Sequence, residues 1–350
     1  MGNENKNINA VIIGASGYTG VELLRILLNH PFVNIVNLVA ESSAGKKIDE
    51  IYPHLRGYDL PVIIKLSEIS WENIDVAFCC LPHATSQEVI KLLPENIKII
   101  DLSADFRLYD PKTYEQWYGH PHLAPELQEE AVYGLTELFR KTIKESRLVA
   151  CPGCYPTSAL LPLIPLLKNN LISPENIIID SKSGVTGAGR SAKQTNLFTE
   201  VNEGVKAYAV CQHRHMPEIE QILSAVSDDD ITVTFSPHLV PMSRGIISTI
   251  YVNTQKDVTD TDIKNALIER YNEEEFIDIR DDGILPNTRD VHGTNKCIIS
   301  VCKGRSANQV VIVSVIDNLA KGSSGQAVQN MNVMFGYPEK TALEFVPTFP

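Results

Sequence analysis

Apolar residues along this chain gather in short continuous runs. Ile8 to Ile13, Ile35 to Ala40, Val76 to Leu81 and Ile97 to Asp101 each have the length and β-branched content of a strand. Between the first two, Thr19 to Asn29 sets Val21, Leu24, Leu27 and Leu28 along one side of a helix. Continuous rather than alternating runs suit strands covered on both faces. Their separation by helical stretches predicts an α/β unit with a Rossmann-type, doubly wound parallel sheet. After about Cys151 the texture changes. Ile177 to Ser181, Ile231 to Phe235, Ile246 to Asn253, Cys297 to Cys302 and Val310 to Ile316 are strand-like, with fewer helices between them. This predicts a mixed sheet on a second, α+β domain. Ser323 to Phe335 reads as a last helix that returns to the first domain. The expected division is 1–153 with 318–350, and 154–317.

The 350 residues exceed what one core usually serves, in keeping with two domains. A net charge of −12 argues against an extended nucleic-acid or anionic-membrane surface. No stretch reaches the ~18 apolar residues of a membrane helix. Met1 to Asn9 is polar and lacks the apolar core of a signal peptide. Seven cysteines in this length do not make a disulfide scaffold, so a cytoplasmic setting is expected.

Gly14-Ala15-Ser16-Gly17-Tyr18-Thr19-Gly20 joins the first strand to the first helix. Glycines let a backbone approach a pyrophosphate, and the helix start offers N–H groups and a positive dipole end. The loop is therefore assigned to a dinucleotide; a tight turn without ligand is the alternative. At the end of the second strand, Ser42, Ser43, Lys46 and Lys47 suit a 2′-phosphate, whereas Glu41 suits the 2′-hydroxyl of NAD. The donors favour NADP.

Ala150-Cys151-Pro152-Gly153-Cys154-Tyr155-Pro156-Thr157 places a tight turn before a helix start. Cys154 would sit where the dipole favours thiolate, the species that attacks an acyl carbon. The Cys151/Cys154 spacing is also that of a redox pair or, with His213 and His215, of half a zinc site. No metal is expected. In Gln212-His213-Arg214-His215-Met216-Pro217-Glu218, the histidines are acid–base candidates. Arg107, Arg190 and Arg244 are candidates to grip a carboxylate or phosphate, with structural ion pairs as the alternative. His83, His120, His122 and His292 receive no role.

Together these strings resemble the N-acetyl-γ-glutamyl-phosphate reductase family, relatives of aspartate-semialdehyde dehydrogenase. The likeness spans nearly the whole chain. It is carried by Gly14–Gly20, Asp101–Arg107 (DLSADFR), Tyr133–Leu135, Pro152–Thr157 (PGCYPT), Ser183–Arg190, His213–Ile219 (HRHMPEI), Ser243–Ile246 and Ile316–Gln329. The resemblance implies NADPH-dependent reduction of N-acetyl-γ-glutamyl phosphate to the semialdehyde, with phosphate release, in arginine biosynthesis. It implies Cys154 as nucleophile and His215 as acid–base residue. Arg107, His213 and Arg244 would meet the substrate. Gly14, Ser16, Gly17, Tyr18, Thr19, Gly20, Ser43, Lys46, Pro82, Ser183, Gly184 and Asn318 would hold the cofactor. A homodimer or homotetramer is expected. Sibling reductases of aspartyl phosphate or of carrier-linked aminoadipyl or glutamyl phosphates are the enzymatic alternative, and a non-catalytic NADP-binding redox sensor using Cys151 and Cys154 is the other. Glu41, Thr136, Ser158, Lys182 and Val185 depart from the family pattern; none is a catalytic group.

Overall fold

The computed structural model describes residues 7–349 except 228 and 307; the first six residues, part of the polar N-terminal stretch, lie outside the described residues. Two compact units result, one of residues 1–152 with 323–344 and one of 153–322 with 345–350.

The first unit is built on a seven-stranded sheet in the order β3-β2-β1-β4-β5-β7-β6. Its strands are β1 (Ile8–Ile13), β2 (Val33–Val39), β3 (Ile63–Ile64), β4 (Val76–Cys79), β5 (Lys98–Asp101), β6 (Val132–Tyr133) and β7 (Leu148–Ala150). Every pairing is parallel. The reversal of order at β1/β4 makes this a doubly wound sheet, as the apolar runs predict. Ligands of such sheets bind at the carboxyl ends of the strands beside that reversal. Val11, Ile13, Ala77, Cys79, Ile99 and Phe106 form its buried centre.

The Gly325–Phe335 helix belongs to this unit and packs on it through polar side chains. Asn330 is fully buried; its amide donates to the Gly134 carbonyl at 2.8 Å and accepts from the Thr136 hydroxyl at 2.7 Å. A Cβ on Gly134 would lie 2.6 Å from that amide nitrogen, which is why the Tyr133-Gly134-Leu135 string needs its glycine. Thr136, one of the departures, thus satisfies a buried partner.

The second unit carries a seven-stranded mixed sheet in the order β12-β13-β14-β11-β8-β10-β9. Its strands are β8 (Ile177–Ser183), β9 (Lys206–Ala207), β10 (Val233–Leu239), β11 (Ile246–Asn253), β12 (Ile277–Ile279), β13 (Cys297–Lys303) and β14 (Gln309–Ile316). The β8/β10 and β12/β13 pairs are parallel and the others antiparallel. In β11, Ile246, Ser248, Ile250 and Val252 are buried, and the alternate residues are half-exposed.

The Cys154–Lys168 helix lies in the core of this unit, apolar nearly all round and buried from Tyr155 to Leu167. It carries Pro162 and Pro165 in its interior. Pro165 has no N–H to give the Leu161 carbonyl four residues back. The Tyr271 hydroxyl donates to that carbonyl instead, at 2.5 Å. Ser158, another departure, joins the helix to the sheet: its hydroxyl lies 2.7 Å from that of Ser248, itself 2.7 Å from that of Ser181.

Candidate active site

The nucleotide loop follows β1 and opens the Tyr18–Leu27 helix. Gly14 adopts φ +89°, and a Cβ there would lie 2.2 Å from the Cys80 carbonyl oxygen. A Cβ on Gly20 would lie 2.6–2.8 Å from Gly14 and Ala15 backbone atoms, so this glycine sets how closely the helix meets the strand. At Gly17 the nearest neighbour would be the Gly14 oxygen at 3.5 Å, which leaves that face open. Two glycines serve the turn and one presents bare backbone at a helix start: a cradle that fits a pyrophosphate.

Glu41 is exposed, and one of its carboxylate oxygens is engaged within the protein. It accepts the Leu66 backbone N–H at 3.0 Å. Lys46 is exposed and Ser43 half-exposed on the same loop, so the donors suited to a 2′-phosphate stay available.

Beyond β5, the DLSADFR string forms a buried network. Asp101 is fully buried between two hydroxyls: one oxygen accepts from Ser86 and the other from Ser103, each at 2.7 Å. Burial, and secondarily the nearby Asp105 carboxylate, push its pKa up to about 6, against the pull of the serine hydrogen bonds. Asp105 accepts the N–H groups of Ala84 and Ser86 and the Tyr114 hydroxyl. The two carboxylates thereby fix the loop after β4 that begins at Pro82, which is exposed. His122 touches the Asp105 carbonyl and His120 the Tyr114 hydroxyl, so two unassigned histidines brace this loop. Arg107 is 6% exposed. Its Nε donates to the Cys151 carbonyl at 2.8 Å and Nη2 to that of Leu102 at 3.3 Å, which braces the strand end leading to the nucleophile turn.

Cys151 and Cys154 have different surroundings. Cys151 is buried in the first unit, 3.7 Å from the Asn330 amide, and burial raises its pKa to about 12. Such a thiol is a poor thiolate source. Cys154 is half-exposed and is the first residue of its helix. Gly153 caps that helix, and its carbonyl receives the Thr157 N–H and hydroxyl, each at 2.9 Å. The Gly153 N–H donates to Glu218 Oε1 at 2.8 Å, and Glu218 is 1% exposed. Glu218 stands in the first turn of the Met216–Ser227 helix, directly after the two histidines. Sequence reasoning quoted Glu218 in its motif without a role; only the fold shows that it reaches back 65 residues to the nucleophile turn.

His213 and His215 lie 4.7 Å apart between ring centroids. Tyr155, the residue after the nucleophile, sets its ring 5.6 Å from His213 and 5.8 Å from His215, and Phe235 and Tyr208 close around His213. His213 Nδ1 accepts the His215 backbone N–H at 3.1 Å, so any proton on the neutral ring is on Nε2. Burial, and then the Arg214 charge, lower its pKa to about 4. At neutral pH His213 is an uncharged donor beside Cys154's neighbour.

Three loops close the other side of this unit. Gly184, Val185 and Thr186 donate backbone N–H groups to the carbonyls of Gly245, Met242 and Ser243. Asn318 sews these loops together: its oxygen accepts the Gly245 N–H at 2.8 Å and its nitrogen donates to Thr186 Oγ1 at 2.9 Å. Arg244 Nη1 is 3.5 Å from a carboxylate oxygen of the buried Asp317. Ser183 is buried, its hydroxyl donating to the Gly184 carbonyl.

Among the described residues, no group of three or more His, Cys, Asp or Glu side chains could hold a metal ion, and no helix is long and apolar enough to cross a membrane.

Comparison with known proteins agrees with this anatomy. Residues 9–146 match the family model "Semialdehyde dehydrogenase, NAD binding domain" and residues 154–318 the model "Semialdehyde dehydrogenase, dimerisation domain". The chain is 53% identical over 345 residues to a probable chloroplastic N-acetyl-γ-glutamyl-phosphate reductase of Arabidopsis thaliana, covering 99% of this chain and 86% of that one. It is 51% identical over 350 residues to the N-acetyl-γ-glutamyl-phosphate reductase of Rhodospirillum rubrum, covering 99% of each. In fold it is similar to aspartate semialdehyde dehydrogenase II of Vibrio cholerae, with a TM-score of 0.72 at 17% identity over 94% of this chain and 98% of that one. It is also similar to the NADP complex of the Candida albicans aspartate semialdehyde dehydrogenase, with a TM-score of 0.68 at 15% identity over 96% and 99%.

Proposed function

The chain belongs to the N-acetyl-γ-glutamyl-phosphate reductase family, and from that premise we propose that it makes and reduces an acyl thioester on Cys154. It is an NADP-dependent oxidoreductase of arginine biosynthesis that reduces N-acetyl-γ-glutamyl phosphate to the semialdehyde. The observation that carries the site assignment is the placement of Cys154 at a helix start, tied by Gly153 to the segment that bears His213 and His215.

In this reading His215 takes the Cys154 proton. The sulfur attacks the acyl carbon, a C–S bond forms, and the C–O bond to phosphate breaks with its electron pair on the phosphate. NADPH, when bound, supplies the hydride that the thioester carbon accepts. His215 lends its proton to the thiohemiacetal oxygen and recovers it as the C–S bond breaks, freeing aldehyde and thiolate. Backbone N–H groups at the helix start steady the developing oxyanion. His213, with its proton on Nε2, donates to the substrate. Arg244 and Arg107 are the candidates to hold its anionic groups. The cofactor's pyrophosphate would lie on Gly14–Gly20, with Ser43 and Lys46 at the 2′-phosphate; Pro82, Ser183, Gly184 and Asn318 are its further candidate contacts by family resemblance.

The finer biology follows the same reading. The half-exposed Tyr251 and its exposed β8 neighbour Ile178 lie on the outer face of the second sheet, beside the Asp180–Lys182 ion pair, and a second copy of the chain would cover that face, as a dimer or as part of a tetramer. None of the seven cysteines is in a disulfide, which suits the reducing cytoplasm.

The test is chemical. Incubation with N-acetyl-γ-glutamyl phosphate and no NADPH, followed by rapid quench, should leave an N-acetylglutamyl mass on the Cys154 peptide. An enzyme that turns over without that adduct, and equally well as Cys154→Ser, would not use this mechanism.

A further inference from the structure

Beyond β14 the chain makes a wide turn of which the proposed chemistry uses only Asn318. Asp317 is fully buried and accepts three backbone N–H groups, from Gly293 at 2.7 Å, Leu319 at 2.8 Å and Ala320 at 3.1 Å. Residues Ala320–Ser324 then form a single π-turn, with the Gly322 N–H donating to the Asp317 carbonyl at 2.9 Å. A turn held at so many points has little freedom to shift. Its inner side is Gly322. A Cβ built there would stand 2.7 Å from Cys154 Cβ, 3.1 Å from Cys154 Cα and 3.3 Å from Ile316 Cδ1.

The first two atoms are what make this contact informative. A clash with the tip of a long side chain is relieved by a rotamer change, but the positions of Cα and Cβ are set by the backbone. Cys154 cannot step aside by turning about χ1. It can yield only if the start of its helix moves, and that start is tied on another side by the Gly153 N–H to Glu218.

We infer that Gly322 is a positioning residue for the nucleophile: its missing side chain determines where Cys154 stands. The inference rests on the reading of Cys154 as the thiol that forms the thioester. The π-turn serves as a backbone wall and the Glu218 bond as an anchor. Ranges of π geometry within ordinary helices recur at functional sites, where they re-aim a short piece of chain.

Gly322→Ala in the full chain tests this. A nucleophile displaced by a fraction of an ångström to an ångström should lose about 10- to 100-fold in kcat. The KM for NADPH should stay within twofold, and alkylation of Cys154 by iodoacetamide, followed by peptide mass, should slow. Gly204→Ala, whose Cβ would meet only the Val201 carbonyl at 3.8 Å, should leave all three at parent values. A double-mutant cycle keeps the test open if Gly322→Ala folds poorly. Its loss of melting temperature should shrink by at least about 2–4 °C when Cys154 is also replaced by glycine, because the clashing Cβ is then gone. Parent-like kcat and alkylation in Gly322→Ala, or a melting loss identical in both backgrounds, would overturn the inference. If Cys154→Ser is inactive while Gly322→Ala is normal, only this inference falls. If Cys154→Ser turns over at the parent rate, the nucleophile assignment falls first.

Discussion

Replacing Glu218 by alanine should damage both the stability and the turnover of this enzyme, for one identifiable reason. The Glu218 carboxylate is 1% exposed and accepts the Gly153 N–H at 2.8 Å, and Gly153 is itself buried. Truncation leaves that N–H with no acceptor from this side chain, a loss of about 1–3 kcal/mol and toward the upper end for a charged acceptor. The cavity left by the side chain adds to it. A total of about 3 kcal/mol lowers the melting temperature by roughly 6–12 °C in a unit of this size. Because Gly153 caps the helix that begins at Cys154, kcat should fall about 10- to 100-fold, while the KM for acyl phosphate changes less. Glu218→Gln keeps an oxygen for the same N–H and should lose no more than about 1 kcal/mol. Calorimetry and steady-state kinetics on the two variants and the parent decide the matter. Alanine within 1–2 °C of the parent, and within twofold in kcat, would refute the anchoring argument. Glutamine as harmful as alanine would mean that the charge, not the hydrogen bond, is what the site needs.

Other outcomes follow from the same geometry. Cys154→Ser should nearly abolish reduction with NADPH affinity intact, whereas Cys151→Ser, with no chemical role, should retain most activity; equal loss in both would revive the redox-pair reading. NADPH should surpass NADH in kcat/KM because Ser43 and Lys46 stand accessible on the loop after β2, and parity between the two cofactors would reject Ser43 and Lys46 as phosphate ligands. Gly20→Ala should weaken NADPH binding severely, since its Cβ would meet only backbone within 2.8 Å; fluorescence titration of the bound nicotinamide measures it, and unchanged affinity counts against the cradle. Asp101 has a folded pKa of about 6 against an ordinary 3.8, so its ionisation weighs against the fold and its contribution falls as pH rises through that window. The penalty is on the order of 3 kcal/mol when complete, with about 1 kcal/mol of it appearing between pH 5 and 7.5. The urea stability of the parent relative to Asp101→Asn should decline over that range, and a flat difference would show that the shift is absent.

The parts of this molecule that could be read in the sequence are those where local rules suffice. Continuous apolar runs announced β1 and β4 because a strand buried on both faces tolerates little else. Gly14 and Gly20 were legible because a positive φ at the first and close backbone approaches at both admit only glycine, whereas Gly17 stands on an open face. Pro152–Gly153 before a helical stretch located Cys154 for similar reasons. By contrast, β3 and β6 are two residues long and form only because neighbouring strands supply partners. The Cys154–Lys168 helix hides behind three prolines, and its coherence depends on a tyrosine more than a hundred residues away. Arg107 reads as an anion ligand from its position after β5, but the fold spends part of its fork on two carbonyls. Glu218 and Gly322 have meaning only once distant segments meet at Cys154.

The bond from Tyr271 to the Leu161 carbonyl has an evolutionary consequence. Pro165 removes a donor from the middle of a buried helix, and one phenolic hydroxyl restores it. The dependence runs one way: the proline without the tyrosine strands a buried carbonyl, whereas the tyrosine without the proline adds a second bond to an oxygen that has two lone pairs. The proline at 165 is therefore conditional on the tyrosine at 271. Among descendants of a common ancestor, lineages that regain an N–H-bearing residue at 165 are free to exchange the tyrosine at 271 for phenylalanine, in that order.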